Sequence, residues 1–218
     1  MSETAVAHHA WDKRWSTPEG RADWLDPEPF LLERVDRLGT AGDAVLDLGC
    51  GVGRNAIALA QRGFKVDAMD GAPAGLEHGA LLAQEAGVVV AWRLGGMLAL
   101  PYADRSFDAV VSWNVIYHGT GDETRRAMSE ICRVLKPGGR LVLSLLSKRE
   151  RRFGLGREVA DDTYVIEGEE EKGHPHHYVD AVGAAALFRG FNLVDLEHRV
   201  HRKPESWHWD AFAVKDAR

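Results

Sequence analysis

The stretch Ala44-Val45-Leu46-Asp47-Leu48-Gly49-Cys50-Gly51-Val52-Gly53-Arg54-Asn55-Ala56-Ile57-Ala58-Leu59-Ala60 constrains this chain more than any other. Val45, Leu46 and Leu48 make the short apolar run of a strand buried on both faces, and Ile57, Leu59 and Ala60 open a helical stripe. Gly49, Gly51 and Gly53 alternate between them. Glycine lets the backbone turn tightly and approach a ligand, and the next helix offers N–H groups that lack intrahelical partners. A strand, a glycine turn and a helix, with a ligand at the turn, are therefore expected.

Spacing narrows the ligand. A dinucleotide fingerprint G-x-G-x-x-G needs its third glycine for close helix packing around a pyrophosphate, and Arg54 stands at that position. No phosphate loop of the G-x-x-x-x-G-K-[ST] type is present either, so a nicotinamide-dependent oxidoreductase is disfavoured. Asp70 ends the expected strand Lys65–Asp70, about 20 residues past Gly49. A carboxylate suits that place because it offers only acceptors to the two hydroxyls of a ribose.

The motif D-L-G-C-G-x-G, Asp47 to Gly53, resembles the first motif of the Rossmann-like (class I) S-adenosylmethionine-dependent methyltransferases. The resemblance extends from about Trp11 to the C-terminal strands. It implies an α/β fold: a doubly wound, mostly parallel seven-stranded sheet with an antiparallel C-terminal strand. S-adenosyl-L-methionine is the implied cofactor, and Asp47, Gly49, Cys50, Gly51, Asn55, Asp70 and Gly71 are implied around it. Trp11-Asp12-Lys13-Arg14-Trp15 is similar to the aromatic segment that folds over cofactor and substrate in many small-molecule methyltransferases, which adds Trp11. The run Leu94 to Tyr102 resembles the family's G-D-x-x-x-L-P-[FY] landmark, whose aspartate meets the adenine amino group. Gly96 occupies that place here, so backbone around Met97 and Leu98 is expected to hold the adenine. Trp113 and Asn114, where the strand Phe107–Trp113 ends, complete the expected cofactor set.

The remaining chain alternates helices and strands: helices at 30–38, 72–86, 122–135 and 182–189, strands at 88–93 and 140–146, and an antiparallel hairpin of 191–200 with 207–214. At 218 residues, 45% hydrophobic and 28% charged, the chain suits a single methyltransferase domain over 1–218. Residues 1–38 read as an N-terminal helical segment or lid and 148–180 as an inserted substrate or lid segment, because the regular rhythm breaks there. A formal charge of −6, with only the short basic cluster at 148–152, argues against a nucleic-acid partner. No run has the apolar length of a membrane span and no secretory pattern opens the chain, so a cytoplasmic protein without a membrane partner, monomer or homodimer, is expected. Cys50 and Cys132 suggest no disulfide framework.

Methyl transfer from a sulfonium is an in-line displacement, and holding the reactants close and dry supplies much of the acceleration. If the acceptor must lose a proton, His118 is the best-placed base, with Tyr117 beside it. His176 and His177, with His174 and Tyr178, read as a polar acceptor wall. Three histidines in four positions invite a metal, yet His176 and His177 are adjacent, Pro175 restrains His174, and no cysteine or second ligand pair lies nearby. No metal site is assigned. The expected function is methyl transfer to a small-molecule acceptor whose atom, O, N or S, stays open. The alternative is a weak or inactive cofactor-binding regulatory protein on the same fold, with Gly96 marking a degraded site.

Overall fold

The structure is a computed structural model and describes residues 4–169 and 172–217, with the side chains of residues 4–6 left aside. Residues 1–3 of the expected N-terminal lid, residues 170 and 171 of the expected insertion, and residue 218 lie outside the described residues. In chain order the elements are α1 (Thr4–Trp15), α2 (Pro18–Arg21), a 3-10 turn (Ala22–Trp24), α3 (Pro29–Leu32), α4 (Val35–Leu38), β1 (Ala44–Leu48), α5 (Arg54–Ala60), β2 (Lys65–Asp70), α6 (Pro73–Glu85) and β3 (Val90–Leu94). Then follow β4 (Phe107–Ser112), α7 (Gly121–Val134), β5 (Leu135–Ser147), β6 (Arg157–Ala160), β7 (Thr163–Val165), β8 (His176–Val179), α8 (Ala181–Ala186), β9 (Phe191–Val200) and β10 (Trp207–Lys215).

Strands pair in the order β3-β2-β1-β4-β5, all parallel. Beyond them β10 runs antiparallel to β5 from His208↔Leu146 to Val214↔Arg140, and β9 runs antiparallel to β10. This is the expected body of mostly parallel strands closed by an antiparallel hairpin. Because side chains alternate along a strand, the two faces carry different cores. Leu46, Leu48, Val110 and Leu143 pack under α7 through Met128 and Ile131, while Val45, Ala68, Val111 and Val142 pack under α5 and α6 through Leu59 and Leu76. The ligand-bearing loops therefore leave a sheet that is held from both sides, at the C-terminal ends of its strands.

Three expectations are corrected. The helix at 30–38 breaks into α3 and α4 at Glu33 and Arg34, where Arg34 turns to pair with Asp195 and Glu197 on β9 and lays its guanidinium over the Phe30 ring. The turn Lys136–Gly139 is drawn into β5 as a bulge, with the register moving from Phe107↔Leu135 to Ala109↔Arg140 and Gly138 at φ +75°. The insertion, expected without regular elements, carries strands: β6 and β7 form a hairpin, β7 pairs with β8, and β8 joins the parallel sheet at Leu146↔Tyr178 and Ser147↔Val179. A helix cap missed in the sequence fixes the next turn. The Thr120 hydroxyl accepts the Glu123 N–H at 3.3 Å and the Glu123 carboxylate accepts the Thr120 N–H at 2.8 Å, starting α7 just after His118.

Candidate active site

The glycine turn adopts backbone that other residues resist. Gly53 sits at φ +79° before α5, and a Cβ built on it would lie 2.3 Å from the Trp92 ring. Gly49 is left-handed as well, at φ +72°, with Val115 Cγ2 only 2.2 Å from where a Cβ would stand. Asp70 clamps this turn from the neighbouring strand: Oδ2 accepts the Gly51 N–H and Oδ1 the Ala72 N–H, each at 2.8 Å. Burial raises the Asp70 pKa, and those two N–H groups and His8 oppose the rise.

A cavity of about 400 Å³ opens over the turn. The structure brings into its wall Gly49, Cys50, Gly51 and Asn55 from the turn and α5, and Asp70 and Gly71 from the end of β2. Gly96, Met97 and Leu98 enter from the loop after β3, Trp113, Asn114 and His118 from the loop after β4, and Trp11 from α1. Cys50 is buried, and burial together with Asp70 and Asp47 pushes its thiol well up, so it packs as a protonated group. Asp47 does not reach the cavity. It is 1% exposed behind the turn and accepts the Ala56 N–H, with burial raising its pKa to about 7. It orders the turn rather than touching what binds there.

Arg54 gains a physical account. Its guanidinium pairs with the Glu28 carboxylate and donates to the Asp26 carbonyl at 3.0 Å, while Asn55 Oδ1 accepts the Glu28 N–H at 3.0 Å. The residue that departs from the dinucleotide pattern thus ties the N-terminal segment over the cavity. That segment also supplies wall residues the site reading missed: His8, Trp15 and Trp24. The signal was present, since His8, Trp11 and Trp15 fall at i, i+3 and i+7 on one helical face. Trp11 stacks on Trp15 at 5.1 Å, and His8 sits so close to Gly71 that a Cβ there would lie 1.8 Å from its Nδ1.

A second cavity, of about 690 Å³, adjoins the first and shares Trp11, Trp24, Trp113, Asn114 and His118 with it. His118 is held in place by two partners: Nε2 lies 2.9 Å from the Asn114 carbonyl and Nδ1 lies 2.9 Å from His174 Nε2. Asn114 itself is left-handed at φ +60°, locked by its N–H to Ser144 Oγ at 2.8 Å and by the Ser144 hydroxyl donating to Asn114 Oδ1 at 2.9 Å. Tyr117 and His176 line the second cavity with His208, whose ring stacks on His201 at 3.9 Å. Burial and neighbouring cationic groups hold His118 and His176 well below the usual histidine pKa, so both are neutral near pH 7.

His177 is the correction here. Adjacent strand residues face opposite ways, so with His176 turned to the cavity His177 points to the start of α7, where a Cβ on Gly121 would lie 3.0 Å from its Nε2. The two do not share a wall.

A family profile described as a methyltransferase domain matches residues 45–139, from β1 to the bulge in β5. A ubiquinone biosynthesis O-methyltransferase of Xanthomonas axonopodis pv. citri is 37% identical over 187 residues, 84% of this chain and 73% of the relative. Among solved structures, a SAM-dependent methyltransferase of Methanosarcina mazei superposes with a TM-score of 0.76 at 19% identity, over 89% of this chain and all of that one. The 1,6-didemethyltoxoflavin-N1-methyltransferase of Burkholderia thailandensis, solved with its namesake compound and S-adenosylhomocysteine, gives a TM-score of 0.73 at 24% identity over 96% of this chain and 88% of that one. These structural likenesses carry the fold. Turn, strand order and a relative this similar over most of both chains together establish that the protein belongs to the class I S-adenosylmethionine-dependent methyltransferases.

Proposed function

We propose that this methyltransferase acts on a hydroxyl oxygen of a small-molecule acceptor seated in the second cavity. The observation that carries the reading is the shared wall: donor and acceptor cavities meet at Trp11, Trp113, Asn114 and His118. An O-methyltransferase as a relative supports oxygen as the acceptor atom.

The residues present fit the cofactor. The glycine turn brings bare backbone to the cavity wall, Asp70 offers acceptors to a ribose, and indole faces suit a cationic sulfur. S-adenosylmethionine, when bound, supplies an electrophilic methyl group on a sulfonium. Gly49, Gly51, Asp70, Gly71 and the backbone of Gly96, Met97 and Leu98 hold it. Trp11 and Trp24 cover the junction and exclude water, which strengthens every polar contact beneath them. The ordered pair Asn114 and His118 fixes the floor where the reacting atoms meet, while Tyr117 and His176 face the acceptor. His176 Nε2 is buried with no hydrogen-bond partner among the described residues, so its lone pair is left for whatever binds beside it.

The test is incubation with methyl-labelled cofactor and matched phenols, catechols, amines and thiols, followed by mass analysis of the products. Label on oxygen is expected. Transfer confined to amines or thiols overturns the choice of atom, and absence of transfer to any class with tight cofactor binding would favour the regulatory alternative.

A further inference from the structure

His118, His174 and His176 converge although they come from two different parts of the chain. One suitable ring nitrogen from each lies within 4.8 Å of the others. His118 leaves the end of β4, whereas His174 and His176 lead into β8 of the insertion. Their hydrogen bonds fix which nitrogens face inward. A backbone carbonyl can only accept, so the 2.9 Å contact of His118 Nε2 with the Asn114 carbonyl puts the proton on Nε2. Neutral His118 then carries its lone pair on Nδ1. By the same argument the 2.8 Å contact of His176 Nδ1 with the His174 carbonyl leaves the His176 lone pair on Nε2.

In both, one ring nitrogen donates to a backbone carbonyl, as in metal-ligating histidines. His176 Nε2 is then open to an ion, while His118 Nδ1 accepts from His174 Nε2–H at 2.9 Å, a proton that an ion would displace. A purely structural cluster explains it less well. His176 is 0% exposed, and its Nε2 has no hydrogen-bond partner among the described residues, a cost that a well-packed core avoids. Spacing agrees as well. Zinc–nitrogen bonds of about 2.0–2.1 Å in a tetrahedral site separate ligand nitrogens by about 3.3 Å. The cluster brackets that value, from the 2.9 Å between His118 Nδ1 and His174 Nε2 up to the 4.8 Å limit.

We propose that His118, His174 and His176 form a three-imidazole site for a divalent transition-metal ion at the boundary of the two cavities. Three imidazoles leave a coordination position open, and because His118 and His176 line the second cavity, that position faces the acceptor. An acceptor oxygen completes the coordination. This role rests on the hydroxyl-acceptor reading above, while the metal site itself does not. The ion also ties the inserted β8 to the loop after β4, which gives the insertion a reason to be ordered.

The experiment uses the complete untagged protein, stripped with a chelator and titrated calorimetrically with zinc. One equivalent per chain, a rise in Tm on saturation, and at least 100-fold weaker binding in His118→Ala and His176→Ala are expected, with His177→Ala binding like wild type. No stoichiometric binding tighter than about 10 µM, or binding that persists in both variants, overturns the site. Should the variants fail to fold, zinc-edge X-ray absorption of the loaded wild type decides: three imidazole nitrogens at about 2.0–2.1 Å support the site, and thiolate or carboxylate coordination overturns it. Cofactor affinity of the metal-free protein reads the methyltransferase site separately. Transfer to a hydroxyl acceptor that is unchanged by metal removal overturns the acceptor role and leaves the site in place.

Discussion

His118 Nδ1 lies 2.9 Å from His174 Nε2 although 56 positions separate the two residues. The contact joins the loop at the end of β4 to the inserted segment, and so ties the regular sheet to the least regular part of the chain. Around this contact the donor and acceptor cavities meet, and the expected behaviour of variants follows from which side of it each residue serves.

Asp70→Ala removes a charged acceptor proposed to take two ribose hydroxyls. Hydrogen bonds to charged groups are strong, so cofactor affinity measured by calorimetry should fall by about 2–4 kcal/mol. Asp70 also clamps the Gly51 and Ala72 N–H groups, so Tm should fall with it. Unchanged cofactor affinity would remove Asp70 from the binding site.

Gly96→Asp should tighten cofactor binding by roughly 1 kcal/mol, because it restores the acceptor that the family landmark carries. The position has room: a Cβ there meets only His8 Nε2, at 3.7 Å. Weaker binding in the titration would mean that the adenine does not lie against this loop.

Gly71→Ala places a Cβ 1.8 Å from His8 Nδ1, so the His8 ring, and α1 with it where the ring cannot turn aside, must shift in the cavity wall. Cofactor affinity should drop, and stability should fall by about 1–3 kcal/mol, as for other overpacked sites. Adding His8→Ala to Gly71→Ala should recover most of both losses. A double variant no better than Gly71→Ala alone would show that His8 does not cause the clash.

Asp47 gives a pH signature. Burial raises its carboxyl pKa from the ordinary 3.8 to about 7 in the folded protein, so between those values the native state holds a proton that the unfolded chain releases. Its contribution is fully present below about pH 4 and is lost as pH rises towards 7. Urea denaturation of Asp47→Asn, which has no proton to release, should therefore lose less stability than wild type across that window. Parallel curves would contradict the raised pKa.

How much could be read in advance follows from the range of each interaction. The strand, glycine turn and helix at 44–60, the acid at Asp70 and the closing hairpin depend on periodicity and backbone geometry that neighbouring residues carry. Such features are local, so the chain alone determined them, and with them the cofactor-binding fold. Partners distant in sequence decided the rest. Helix 30–38 is broken because Arg34 finds Asp195 and Glu197 on β9, and no local pattern announces an ion pair across 161 and 163 positions. Arg54, read only as a missing glycine, fastens the N-terminal segment through Glu28. The histidines of the insertion were visible as a run, but strand alternation turned His177 away from His176, and folding brought His118 in its place. Local propensity determined the scaffold, while the packing of the insertion and the N-terminal segment decided which side chains share a cavity, because that depends on contacts formed only when the whole chain is folded.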